Sequence, residues 1–174
     1  LVDDLDRELL TLLTVEPRVG VLEASRRLGV ARGTVQARLD KLQRRGVISG
    51  FGPQLDAAKL GFGVTAFATM EIRQGAGHDA AAEHLAAIPE VLEVHTITGE
   101  GDLHCRLVAR DNLDLQRVID EVVACEAIVR TSTVIVLATL VPYRVLPLVD
   151  MALGPPAPPS AAGTGPPDRD QRRS

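Results

Sequence analysis

The chain is predicted to be an α+β protein in two parts, a winged helix-turn-helix domain followed by a ferredoxin-like βαββαβ domain. Three observations predict it. Apolar residues at helical spacing flank Gly29-Val30 near the amino end, the hydrophobic period falls from about 3.6 to 2 beyond residue 63, and the segments after that point read β-α-β-β-α-β. The expected division is a helix-turn-helix domain at 1–51, a linker at 52–63, an α/β domain at 64–146 and a tail at 147–174, disordered from about residue 154.

The helices are justified in turn. Asp3, Asp4 and Asp6 stand ahead of Leu5, Leu9, Leu12 and Leu13, placing acid at the positive end of a helix with an apolar stripe, and Pro17 closes it. Ala24 and Leu28 precede the Gly29-Val30 turn; Val35, Leu39 and Leu42 follow it at i, i+4 and i+7, which fixes the inward face of the second helix of the pair. Rotation by about 100° per residue then places Gly33, Gln36, Ala37, Asp40, Lys41 and Arg44 outward. Small residues at 33 and 37 permit close approach to a groove floor, and Thr34 and Gln36 carry the donors and acceptors that base edges or phosphates require. Gly46 stops this helix, and residues 47–51 read as a short extended piece suited to a small wing.

Between Arg26 and Arg45 seven cations face a single acid, Asp40, although the chain as a whole carries a formal charge of −4. Such asymmetry is the footprint of a nucleic-acid contact on an otherwise acidic protein; the plainer reading is a solvated helix face. The residues expected to meet DNA are Arg32, Gly33, Thr34, Gln36, Ala37, Arg38, Lys41 and Arg44.

In the second half, Val64, Ala66, Ala68, Met70 and Ile72 alternate with Thr65, Phe67, Thr69, Glu71 and Arg73, the pattern of a strand with one apolar face. Residues 79–88 form a helix with Ala81, Leu85 and Ile88 inward, ended by Pro89. Strands at 91–98 and 103–109 are joined through Gly99-Glu100-Gly101-Asp102; Asp111 or Asn112 caps a helix striped by Leu115, Val118, Ile119, Val122 and Val123; residues 129–141 make a last long strand. Both helices then lie on one side of an antiparallel sheet. Phe67, Val108 and alternate residues of the last strand leave the other side too apolar for water, which calls for a second subunit.

Composition narrows the function. With 174 residues there is room for two small domains, and with aromatics at 2% and no Trp a base-stacking platform for single strands is disfavoured, leaving duplex DNA as the better partner. Cys105 and Cys125 form no Cys-x-x-Cys and lie near no His pair, so neither a disulfide framework nor a zinc module is signalled, and no cofactor is expected. A leader segment and a run of the ~20 apolar residues that span a bilayer are both missing, so a cytoplasmic protein without a membrane partner is expected.

A helix-turn-helix followed by this α/β unit resembles the Lrp/AsnC (feast/famine) family of bacterial and archaeal transcriptional regulators. The stretches that carry the resemblance are DDLDRELL at 3–10, TVQARLDKLQRRGVISGF at 34–51 and TGEGDL at 98–103. It implies a RAM-type α/β domain, a dimer built on that domain and often assembled into octamers, paired recognition helices on a partly palindromic site, and an effector pocket between dimers, usually for an amino acid. The positions matching that pocket are Gly99, Glu100, Gly101 and Asp102, with Thr131 and Thr133. Chemically, amides of a glycine-rich turn can hold a carboxylate and Asp102 can receive an ammonium group, while an ordinary hairpin turn would need the same glycines. Two positions depart from the family. Ala31 stands at the recognition-helix N-cap, where Ser is common, and Leu103 stands where an aromatic is common.

Other classes are a ligand-sensing module acting on a protein partner without DNA, and an enzyme, since sirohaem decarboxylases share this two-domain build and use histidine and basic residues. Pairing Thr98 with Leu103 would set His95 opposite Arg106, two rows from His104, too far for a tight pair. His78 and His84 read as helix-surface residues, and neither a catalytic nor a metal site is expected.

Overall fold

A computed structural model describes residues 2–73, 75 and 77–153. The chain divides into two compact units, one comprising Leu1–Gly52 together with the segment from Tyr143 onward, the other Pro53–Pro142.

The first unit holds α1 (Asp4–Val15), α2 (Val21–Leu28), α3 (Arg32–Arg44) and α6 (Pro147–Leu153). Leu9, Ala24, Val35, Leu39 and Leu42 form its buried centre, flanked by Leu12, Leu13, Leu28 and Ile48. Helical phase dictated this set: each helix contributes the apolar stripe read from its sequence, and burying each large side chain stabilises the unit by roughly 1.5–3 kcal/mol before entropy is counted. The expected wing does not form a strand here. Gly46 turns the chain with φ 69°, and the amides of Val47 and Ile48 both donate to the Leu42 carbonyl, so the donors a strand would need are spent closing α3. Within the expected tail, residues 147–153 form α6, packed on α1. The expected disorder from residue 154 lies outside the described residues.

The second unit holds β1 (Val64–Ile72), α4 (Gly77–Ala86), β2 (Val91–Thr96), β3 (Leu103–Ala109), α5 (Asn112–Val123) and β4 (Ile128–Ile135). The sheet order is β2-β3-β1-β4 with every neighbour antiparallel. Ala66, Ala68, Met70, Leu103, Cys105 and Leu107 on one sheet face pack against Ala81, Leu85, Leu115, Val118 and Val122 of the two helices. Val123, expected in the stripe of α5, is instead 44% exposed, a position one step off the helical phase of Leu115, Val118 and Val122. Asp111 is the cap of α5, its side chain accepting from the Asp114 amide.

The last strand is shorter than predicted. Beyond Ile135 only the Val136 amide continues the ladder, to the Thr65 carbonyl, because β1 begins at Val64 and offers no further partner. The linker likewise belongs to the second unit from Pro53. Asp56 accepts from the amides of Ala58 and Lys59 to fold residues 57–61 into turns, and the Arg110 guanidinium lies 5.3 Å over the Phe62 ring.

Candidate nucleic-acid interface and effector site

The turn of the helical pair is made by Gly29, which adopts φ 65° and closes α2. Ala31 follows as the N-cap of α3 with no side-chain hydrogen bond, so the first amides of α3 have no side-chain acceptor there. Val35, Leu39 and Leu42 face the core, and Arg32, Gly33, Thr34, Gln36, Ala37 and Arg44 are exposed. A Cβ added at Gly33 would meet nothing within 4 Å, so the start of α3 presents an open, low surface. Gln36 donates through Nε2 to Oδ1 of Asp40 at 2.8 Å.

Arg38 and Lys41 behave differently from their neighbours. Rotation alone places Lys41 outward, but its Nζ donates to Oδ2 of Asp6 at 2.9 Å, and Arg38 Nη1 donates to Oδ1 of Asp6 at 3.0 Å and also to Oδ2 of Asp3. Asp3 and Asp6 in turn form a reciprocal capping box at the start of α1: the Asp6 amide donates to Asp3 at 3.0 Å and the Asp3 amide to Asp6 at 3.3 Å. The Asp6 side chain is wholly inaccessible to solvent. Burial pushes the Asp6 carboxyl up, but the hydrogen bonds from Lys41 and Arg38 outweigh it and hold the group below its ordinary value. The Arg38 hydrogen bond does the same for Asp3, and the two acids raise Arg38. The sequence carried a signal for this network: Asp6 shares the stripe of Leu9 and Leu13, at i, i+3 and i+7, and an acid in apolar phase demands a buried partner.

At the hairpin the predicted register is corrected. Thr96, not Thr98, pairs with Leu103, and His95 lies directly opposite His104 rather than opposite Arg106. The loop is longer because its last residue joins β1: the Asp102 amide donates to the Met70 carbonyl at 2.8 Å, and Asp102 Oδ2 accepts from the Ile72 amide at 2.8 Å. Gly99 and Gly101 supply φ values of 109° and 87°. Gly101 also sits against β1, where a Cβ would fall 2.6 Å from Thr69 Cγ2.

Of the effector residues inferred from the family, Asp102 and Thr131 flank β1 from opposite sides, the Asp102 amide donating to the Met70 carbonyl and Thr131 of β4 pairing with Met70. Thr133 lies two residues along β4, opposite Ala68, and Gly99 and Glu100 are exposed at the loop tip. Thr131 Oγ1 is buried with no hydrogen-bond partner, an orphaned hydroxyl at the expected pocket.

The sheet face away from the helices is less apolar than the sequence suggested. Phe67 and Val134 pair across it, and Val134 is 61% exposed, whereas Val108 is already buried within its own chain. The same face carries an Arg130–Glu71 ion pair and His104, whose ring stacks on Phe67 at 5.3 Å and whose Nδ1 lies 3.0 Å from Thr69 Oγ1. Elsewhere His84 is not a simple surface residue: its Nε2 donates to the Glu121 carbonyl at 2.7 Å, tying α4 to α5. Cys105 and Cys125 are free thiols, and burial pushes the Cys105 thiol up. Among the described residues no three His, Cys, Asp or Glu side chains gather to hold a metal, and no helix is long and apolar enough to cross a membrane.

Comparison with known proteins bears on both halves. The AsnC-type helix-turn-helix domain matches residues 2–43, and the Lrp/AsnC ligand binding domain matches residues 65–146. An HTH-type transcriptional regulator of Pyrococcus furiosus is 33% identical over 76% of this chain and 88% of its own length. The chain belongs to the Lrp/AsnC family. AsnC of E. coli superposes on this family member with a TM-score of 0.78 at 27% identity, covering 84% of this chain and 99% of its own. The feast or famine regulatory protein of M. tuberculosis, complexed with L-methionine, gives a TM-score of 0.73 at 25% identity, covering 83% of this chain and 97% of its own. The Lrp/AsnC chain described here is therefore a transcriptional regulator with a helix-turn-helix domain and a ligand-binding domain, and its relatives are regulators rather than enzymes.

Proposed function

We propose that this chain is a sequence-specific, cytoplasmic DNA-binding regulator that acts as a homodimer or octamer and answers to an amino acid. The observation that carries the reading is the face of α3, where Arg32, Gly33, Thr34, Gln36, Ala37 and Arg44 are all exposed while Val35, Leu39 and Leu42 hold the helix from behind. Cations flank the small residues, so phosphate contacts position the helix and the side chains of Thr34 and Gln36 reach base edges.

The effector reading is supported by the orphaned Thr131 hydroxyl and by the L-methionine complex of the M. tuberculosis relative. A ligand carboxylate meets the amides of Gly99, Glu100 and Gly101, its ammonium meets Asp102, and Thr131 and Thr133 offer hydroxyls. Binding there changes the spacing of paired recognition helices through the assembly rather than any single base contact. The second subunit covers the sheet face bearing Phe67 and Val134.

Fluorescence anisotropy with a labelled duplex from upstream of the gene tests the first part. Nanomolar binding with strong salt dependence is expected; Arg44→Ala lowers the salt slope by about one unit, and Gln36→Ala changes the preferred sequence by about 1–3 kcal/mol. Failure to bind duplex in dilute buffer overturns the reading. A thermal shift with an amino acid under those same conditions would then favour a sensor that acts on a protein partner.

A further inference from the structure

The cations of α3 divide into two groups. Arg32 and Arg44 are exposed and carry no ion pair among the described residues, whereas Arg38 and Lys41 end on the carboxylates of α1. Arg38 is bound from two sides, by Asp3 and by Asp6, and the side chains of Arg38 and Lys41 are only 28% and 33% exposed.

We propose that Asp6, braced by Asp3, is a positioning and specificity-determining residue that withholds Arg38 and Lys41 from the DNA backbone and fixes the roll of α3. The inference rests on the DNA-binding reading and deepens it. Geometry supports it in three ways. Asp6 has both carboxylate oxygens committed, Oδ1 to Arg38 and Oδ2 to Lys41, so the two cations are held at positions 38 and 41, one turn apart along α3. The capping box fixes the carboxylates to the first turn of α1, whose Leu9 is fully buried in the same core as Leu39 and Leu42, so the anchor cannot drift. Finally, a phosphate that draws Lys41 or Arg38 away strips a wholly buried carboxylate of one of its two charged partners, which is costly.

The consequence concerns specificity. Phosphate contacts strengthen binding to every sequence alike, so each cation withheld lowers affinity for specific and random duplexes by the same factor and flattens the salt slope. Discrimination rests instead on how Thr34, Gln36 and the small residues at 33 and 37 are presented to the bases. The contacts that hold Arg38 and Lys41 on α1 also set the rotation of α3 about its axis, and with it the direction in which Thr34 and Gln36 face, so their release lets the helix roll and lowers discrimination.

The test is a cycle of full-length chains, wild type, Lys41→Met, Asp6→Asn and the double variant, each titrated with salt on a fluorescent random-sequence duplex, with circular dichroism confirming the fold. Lys41→Met alone is expected to leave the salt slope at the wild-type value. Asp6→Asn is expected to steepen it by about one unit per released cation and to narrow the gap between the upstream and random duplexes, and the double variant to return toward wild type. Should Asp6→Asn not fold, Asp3→Asn, at a half-exposed position, loosens Arg38 and is read the same way. A slope flattened by Lys41→Met in the wild-type background, or one unmoved by the Asp variants, overturns the inference while leaving DNA binding intact. A wild-type chain that binds neither duplex overturns the reading beneath it as well.

Discussion

Lys41 Nζ lies 2.9 Å from Oδ2 of Asp6, a carboxylate with no solvent-accessible surface. Replacing Asp6 with Ala leaves a partly buried ammonium and guanidinium facing an empty site, and the expected loss is about 2–3 kcal/mol, at the low end for a buried pair because both cations keep some contact with water. Urea denaturation of the full chain measures it. The pH dependence follows from the same contacts. Folded Asp3 and Asp6 titrate below their ordinary values, so their contribution is fully present above the unfolded carboxylate value and is lost as pH falls through the lowered folded values. The stability of the wild-type chain should decline on acidification into that range, and the decline should be shallower in Asp6→Asn.

Gly101 adopts φ 87° and has its missing Cβ pointed at β1, 2.6 Å from Thr69 Cγ2 and 3.1 Å from the Met70 carbonyl oxygen. Gly101→Ala therefore meets both backbone strain and a collision with a strand in the centre of the sheet, and should cost about 2–3 kcal/mol. Gly99→Ala faces strain alone, since nothing lies within 4 Å, and should cost roughly 1 kcal/mol. Thermal denaturation of the two variants side by side checks the difference; equal losses would show that contact with β1 is unimportant.

The two domains, the helical pair and the βαββαβ order were legible because each rests on a period that burial enforces. Ala66, Ala68, Met70, Leu103, Cys105 and Leu107 fall on the helix-covered face, and Val35, Leu39 and Leu42 on the core side of α3, as alternation and helical phase require. What sequence could not fix were quantities set by a distant partner. The hairpin register turned on Asp102 bonding β1 some thirty residues upstream, which no local turn rule contains. The length of β4 was set by where β1 begins, and the orientation of Lys41 by an acid in another helix. α6 is short and Pro-led, with Leu148 and Met151 exposed, so its apolar residues gave no clean stripe. Apart from Lys41, the exposed face of α3 was readable from phase alone, while the placement of Asp102 and Thr131 on either side of Met70 required the strand pairing.

Ala31 precedes α3 in an extended conformation, φ −64° and ψ 146°, and is exposed. These are N-cap angles, so a Ser hydroxyl at this position can accept from an amide of the first turn without any backbone change. Ala31→Ser should stabilise the helix-turn-helix unit by about 1 kcal/mol and slow amide exchange at residues 33 and 34, measurable by hydrogen exchange. Unchanged protection at those amides would mean that the helix start is not the weak point that its missing cap implies.

Asp102 serves two masters, and its two substitutions separate them. Its Oδ2 accepts from the Ile72 amide, so Asp102→Ala removes an acceptor at the end of β1 and should cost about 1 kcal/mol. Asp102→Asn keeps a carbonyl oxygen for that amide but removes the negative charge proposed to receive a ligand ammonium. It should therefore retain the thermal midpoint and the DNA affinity of the ligand-free wild type, while losing the upward thermal shift produced by the amino acid that stabilises the wild type most in a screen of the L-amino acids. An Asn variant that keeps the full shift would place the ammonium elsewhere in the pocket. One that loses DNA binding with its fold intact would show that the effector loop and the recognition helix are not separate sites.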